Sequence, residues 1–156
     1  MSTSTGSVNH MDDIDSAFVH LFALQLGVSP LIFCLFTGIT PPPHCAPMKR
    51  HPEPNTGMPL DHRFSESLLR ALELNPAIHD GAVMVRRVRA EDQYAIYGWS
   101  YRLFPPQSSA EEEPNRGSAF NSCLAMSSQV LVDCLYVVYT NALVRFERGQ
   151  AQTLIG

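Results

Sequence analysis

From residue 17 to residue 40 the chain carries no Asp, Glu, Lys or Arg, and what interrupts that run decides what it folds into. Its length alone would suffice for a membrane span. His20, Gln25, Gly27, Ser29 and Pro30 break it, however, and Asp12, Asp13 and Asp15 precede it where a secretory signal would place positive charge. The run therefore reads as two buried elements in succession. Over residues 12–26, Phe18, Leu21, Phe22 and Leu26 recur at helical spacing, with acids in the first turn. Residues 30–36 are short, apolar and rich in aromatics, which predicts a buried strand.

The remainder continues this alternation. Residues 1–11 read as a flexible leader, and residues 12–156 as a single domain. Prolines 41, 42, 43, 47, 52, 54 and 59 predict an ordered loop or lid over 40–60, with no helix or ladder. A helix follows with Ser65 as N-cap, Glu66 in its first turn and Phe64 stapled onto Leu69. Leu68, Leu69 and Leu72 form its buried stripe, and Asn75-Pro76 stops it. Residues 81–88 and 94–103 read as a β-hairpin across the polar turn 90–93. An exposed loop (105–116) leads to a helix from Gly117 to about Val130, with Phe120, Leu124 and Met126 on its apolar side. Strands at 134–139 and 143–147 close the pattern, the second ended by Gly149. The expected fold class is α/β (α+β mixed), a single central mixed β-sheet flanked by helices.

Composition narrows the functional classes. A net charge of −4 argues against binding nucleic acid in bulk, while a single nucleotide needs only local donors. Cys34, Cys45, Cys123 and Cys134 lack any paired spacing and read as reduced, mostly buried thiols of a cytoplasmic protein. His44, Cys45, His51 and His62 crowd the proline-rich segment without a usual zinc-ligand pattern.

Two motifs carry candidate chemistry. In Asn75-Pro76-Ala77-Ile78-His79-Asp80-Gly81-Ala82, a carboxylate precedes two residues with almost no side chain. Asp80 can ligate Mg²⁺ or Mn²⁺ or orient a ribose hydroxyl, and Gly81 and Ala82 let a nucleotide approach the backbone. The plain alternative is that Asp80 caps a turn, Gly81 serves a tight angle and His79 makes a structural hydrogen bond. At Gly117-Ser118, free N–H groups at a helix start can cradle a phosphate, with Asn121 in the same turn. Its alternative is a serine N-cap, the nearest cation being Arg116. Tyr94, Tyr97, Trp99 and Tyr101 can stack a base or pack a core. Arg86, Arg87 and Arg89 read as solvated, with a phosphate contact open to one of them.

From about Ser65 to Gly149 the sequence resembles the diadenylate cyclase domain, which makes cyclic di-AMP from two ATP molecules. The resemblance rests first on the Ser-Glu-x-Leu-Leu helix followed by Asn-x-x-x-His-Asp-Gly-Ala-Val, matched from Ser65 to Val85. Gly98 and Leu103-Phe104-Pro105 match a glycine-bearing strand ending in Leu-x-Pro. Residues 117–127 and 133–140 occupy the frame of the family's Gly-Thr/Ser-Arg-His-Arg helix and its later acidic strand end. The resemblance implies a diadenylate-cyclase-like fold. It gives Asp80 a metal-holding and catalytic role, and Gly81, Ala82, Gly117, Ser118 and Asn121 a nucleotide-binding one. It also exposes departures. Ala119-Phe120-Asn121 replaces the Arg-His-Arg that holds the triphosphate, and Thr140-Asn141 replaces the acidic pair. One lost electrostatic donor removes ~10²–10³ in rate. The expectation is therefore a degenerate domain that binds ATP or a cyclic dinucleotide as a sensor or regulatory module. Its rivals are an active cyclase working as a face-to-face homodimer, with phosphate contacts from Arg86 or Arg116, and a ligand-free protein-interaction remnant.

Overall fold

The computed structural model describes residues 11–106 and 117–156. The expected leader (but for Met11) and most of the acidic 105–116 loop lie outside the described residues. Helix α1 (Met11–Ala23) begins on its acids and ends three residues short of Leu26. Strand β1 (Leu31–Thr37) follows, so the uncharged run is a helix and a strand as its interruptions predict. Among the described residues, no helix is long and apolar enough to cross a membrane.

Seven strands form one mixed sheet in the order β2-β4-β3-β1-β5-β6-β7. They are β1, β2 (Cys45–Pro47), β3 (Ala82–Arg87), β4 (Ala95–Leu103), β5 (Val132–Val138), β6 (Leu143–Glu147) and β7 (Gln150–Ile155). β1 and β3 are parallel, joined through a connection that contains helix α2 (Phe64–Leu74). The other pairs are antiparallel, including the expected β3–β4 hairpin. Helices α1 and α2 cover one face and α3 (Gly117–Met126) the other. Phe33, Val83 and Val85 therefore point into the first layer, and Cys34, Phe36 and Met84 into the second. Burial on both faces explains why β1 and β3 read as continuous apolar runs rather than alternating ones.

Four details depart from the sequence expectations. The proline-rich segment does contribute to the sheet, because β2 pairs at the edge beside β4, where Pro47 needs to donate no hydrogen bond inward. Ser65 is buried inside α2, and Arg63 occupies the N-cap without a capping bond from its side chain, which pairs instead with Glu66. Leu69 is 45% exposed, and the buried stripe runs instead through Phe64, Leu68, Ala71 and Leu72. α3 stops at Met126, where the Ser127 hydroxyl turns back to donate to the Leu124 carbonyl at 2.7 Å, and Val130 stands exposed beyond it.

The first core layer is centred on aromatics. Phe18 stacks on Tyr136 at 4.0 Å between ring centroids and meets Phe33 edge-on at 4.9 Å and Phe64 at 5.7 Å. The polar edge of the same contact is tied down as well. Asp15 of α1 accepts from the Tyr136 hydroxyl at 2.5 Å and pairs with Arg145. Desolvation, and then the neighbouring groups of this cluster, push the Tyr136 phenol far above its usual pKa.

Phe18→Ala should cost about 3–5 kcal/mol in chemical denaturation, against no more than about 0.5 kcal/mol for Val19→Ala on the exposed side. The cysteines offer a second check. Cys34, Cys123 and Cys134 are buried with thiol pKa values raised mainly by desolvation, and Cys45 is only half-buried. Brief alkylation of the native protein should label Cys45 and leave the other three until the chain unfolds.

Candidate functional site

The Asp-Gly-Ala turn is built by the end of one element and the start of another. Asn75 caps α2, and its side chain accepts from the Ala77 amide at 3.1 Å, opening a 3₁₀ turn over Pro76–His79. The proline suits the first position of that turn, where no N–H is needed. The turn ends on Asp80, Gly81 follows at φ +94°, and β3 starts at Ala82. A side chain at Gly81 would meet Ser100 backbone carbon and the Met48 methyl, each at 2.8 Å. Glycine is required here for both space and backbone angle.

Ser100 is the other half of this joint. It lies inside β4 with φ 55°, fully buried, and its hydroxyl donates to the Ile78 carbonyl at 3.1 Å. Two register shifts in the β3–β4 pairing put extra residues into β4. The shifts undo the simple alternation of its aromatics. Trp99 turns into the α1–α2 layer and donates its indole N–H to the Asn55 carbonyl, and Tyr97 and Tyr101 remain on the α3 side. Tyr101 lies so close over Gly98 that any Cβ there would sit 2.5 Å from its ring.

On the α3 side, at the end of the sheet where β1 and β3 begin, a cavity of about 640 Å³ opens. It gathers Asp80, Gly81 and Ala82 from the turn, Ser118 from the first turn of α3, and His79. Gly117 and Asn121, expected from the sequence to share the site, do not line it; Ala119 and Ser122 do. Tyr101 is the aromatic of β4 that reaches the cavity, beside Arg102 and Leu103. Ser29 and Pro30 close the β1 side, where the Ser29 hydroxyl accepts from the Thr140 amide at 3.2 Å.

The charges differ from the expectation. Asp80 accepts from Arg50 at 3.1 Å, a partner from the proline-rich segment that sequence reasoning did not assign. Arg86 stands toward the opposite end of β3, donating to the Ile39 carbonyl at 2.7 Å and lying over Tyr97. Arg87 is held by Thr37 at 2.9 Å and stacks over Tyr94. Both are half-buried rather than solvated, and neither lines the cavity. Arg116 lies outside the described residues. Among the described lining residues, Arg102 is the one cation. His79 Nδ1 lies 2.7 Å from the Pro76 carbonyl, the structural hydrogen bond foreseen for it.

Gly81→Ala should destabilise the protein by about 2–4 kcal/mol, combining a left-handed backbone angle with overlap against Ser100. Gly117→Ala shares the positive φ, but no atom of the described residues lies within 4 Å of a Cβ there. It should cost only about 1 kcal/mol, and urea midpoints of the two variants test the difference.

No protein-family model matches the chain, and no curated protein does. Solved structures do. One is the hypothetical membrane spanning protein from Bacillus cereus, with TM-score 0.55 and 21% identity, covering 92% of this chain and 61% of that one. Another is a double mutant of DacA from Staphylococcus aureus, with TM-score 0.56 and 11% identity, covering 93% of this chain and 88% of that one. The chain thus spans 61% of the length of the Bacillus cereus protein. DacA is a diadenylate cyclase, and at these identities the likeness is one of fold: the single mixed sheet and its helices follow a diadenylate-cyclase-like arrangement.

Proposed function

We propose that this domain binds a nucleotide or a cyclic dinucleotide in the cavity beside Asp80 and acts as a sensor or regulatory module rather than an efficient cyclase. The observation that carries the reading is the composition of one cavity. It joins a small-residue turn (Gly81, Ala82), two hydroxyls of α3 (Ser118 in its first turn and Ser122 in its second), an aromatic ring (Tyr101) and a cation (Arg102). Small residues admit a ribose or phosphate to the backbone, and the positive end of α3 favours an anion. The Tyr101 ring offers a base a stacking surface.

The same composition bears on catalysis. Transfer of a nucleotidyl group depends on charge stabilisation around the phosphates. One arginine among the described lining residues suits a phosphodiester better than a triphosphate with its pyrophosphate leaving group. The active-cyclase reading requires two such cavities to face each other, because each ATP attacks its partner, with Mg²⁺ or Mn²⁺ held at Asp80. The protein-interaction remnant requires an empty cavity.

A thermal-shift screen with ATP, cyclic di-AMP and other cyclic dinucleotides separates the three. A ligand present at 100 times its Kd should stabilise the fold by about 2.7 kcal/mol. Arg102→Ala and Tyr101→Ala should each reduce that shift. Incubation with ATP and Mg²⁺ or Mn²⁺ should yield no cyclic di-AMP by mass spectrometry. Turnover abolished by Asp80→Asn would move the assignment to the cyclase, and no shift with any nucleotide would move it to the remnant.

A further inference from the structure

The resemblance to diadenylate cyclases implies a divalent ion at Asp80, and the donors present do not fit one. Asp80 is the sole carboxylate among the described lining residues, and the Nδ1 of its neighbour His79 is engaged with the Pro76 carbonyl. Among the described residues, no group of three or more His, Cys, Asp or Glu side chains could hold a metal ion. Mg²⁺ is usually held by one or two carboxylates together with phosphate oxygens and waters, and the one carboxylate among the described lining residues, Asp80, is already paired with Arg50 at 3.1 Å.

What stands beside Asp80 is Arg50. Its Nη2 donates to Asp80 Oδ2 at 3.1 Å, and its Nε donates to Ser100 Oγ at 3.2 Å. The two partners differ in kind. The Asp80 side chain is 74% exposed, and an ion pair with so open a carboxylate cannot by itself hold a guanidinium in place. Ser100 can, because it is fully buried and its own proton is committed to the Ile78 carbonyl. The segment is fixed again two residues earlier, where the Met48 amide donates to the Ser100 carbonyl at 2.9 Å. Arg50, only 20% exposed, is thus a cation positioned by the fold and presented to Asp80.

We propose that the Arg50 guanidinium takes the place of a divalent ion beside Asp80, so that the cavity binds its ligand without metal. Arginine keeps its charge at any working pH, so a positive charge always stands beside Asp80. A divalent ion approaching the carboxylate would have to displace this charge or share Asp80 with it, and like-charge repulsion opposes sharing. Arg50 is a positioning and specificity residue here. The ligand half of the proposal rests on the nucleotide-binding reading above; the exclusion of metal does not.

The experiment uses the full chain and Mn²⁺ alone as the probe, following free Mn²⁺ by electron paramagnetic resonance. Wild type should show no saturable site up to about 1 mM, the weak end of protein affinities for hard cations. Arg50→Gln should gain affinity by at least roughly tenfold, and Asp80→Asn added to it should remove the gain. Arg50→Lys, which keeps a positive charge, should gain nothing. Saturable Mn²⁺ binding to wild type that Asp80→Asn abolishes overturns the proposal, and so does a folded Arg50→Gln that gains no site. Should Arg50→Gln fail to fold, the wild-type and exposed Asp80→Asn measurements still decide. A separate titration of wild type with cyclic di-AMP should give the same Kd in Mn²⁺ and in EDTA. No binding under either condition strikes the nucleotide reading and leaves the Mn²⁺ result standing. Binding only in Mn²⁺ strikes the proposal and leaves the nucleotide reading standing.

Discussion

The candidate site depends on one buried hydroxyl in an unfavourable backbone. Ser100 holds a left-handed angle inside a strand, a conformation that costs an L-residue roughly 1–2 kcal/mol. Four contacts offset that cost. Its hydroxyl bonds the Ile78 carbonyl and accepts from Arg50, its carbonyl accepts from Met48, and its backbone fills the space a Gly81 side chain would need. The 3₁₀ turn, the proline-rich segment and β4 are thereby locked to one another. Strain of this kind persists only where the surroundings over-determine it.

That joint has consequences on both faces of the sheet. The irregularities flanking it turn Trp99 into the α1–α2 core and Tyr101 toward the cavity, though the two lie only two positions apart. In a regular strand both rings would share a face. The cavity would then lose its aromatic wall, or the core its largest side chain. The bulges reconcile the demands of core and site, which is where β-bulges are commonly found.

Much of this was legible from the chain. Continuous apolar runs announced β1 and β3, and Asn75-Pro76 announced the end of α2, because local chemistry decides both. Strand β7 was not legible. Gln150-Ala151-Gln152-Thr153 shows no apolar alternation, since it forms an exposed edge whose contribution is its backbone ladder to β6. The one local signal was Arg148-Gly149, which makes a two-residue turn with both φ angles positive. At the site, Asp80, Gly81, Ala82 and Ser118 were found from motif and resemblance. Tyr101 was one of four aromatics offered for stacking a base, and the fold selects it; Arg50 and Met48 come from the proline-rich segment, and only the fold brings them to the turn. The turning of Trp99 into the α1–α2 core has the same origin, for no residue pattern marks Ser100 as a bulge.

Where the resemblance implies an Arg-His-Arg in the first turn of α3, this chain has Ala119-Phe120-Asn121, and Phe120 packs against Phe146 at 4.9 Å as part of the core. Among the described residues, the arginines near the cavity are Arg102 and, behind Asp80, Arg50. A second polar cavity, around Asp133, Tyr94 and Arg87, lies at the far end of the strands, and it offers an internal control. Hydrogen exchange with and without saturating cyclic di-AMP tests the account most directly. Slowed exchange should concentrate in peptides covering residues 78–84, 99–104 and 117–123. Slowing confined to residues 127–134 and 147–148, or none at all, would contradict it.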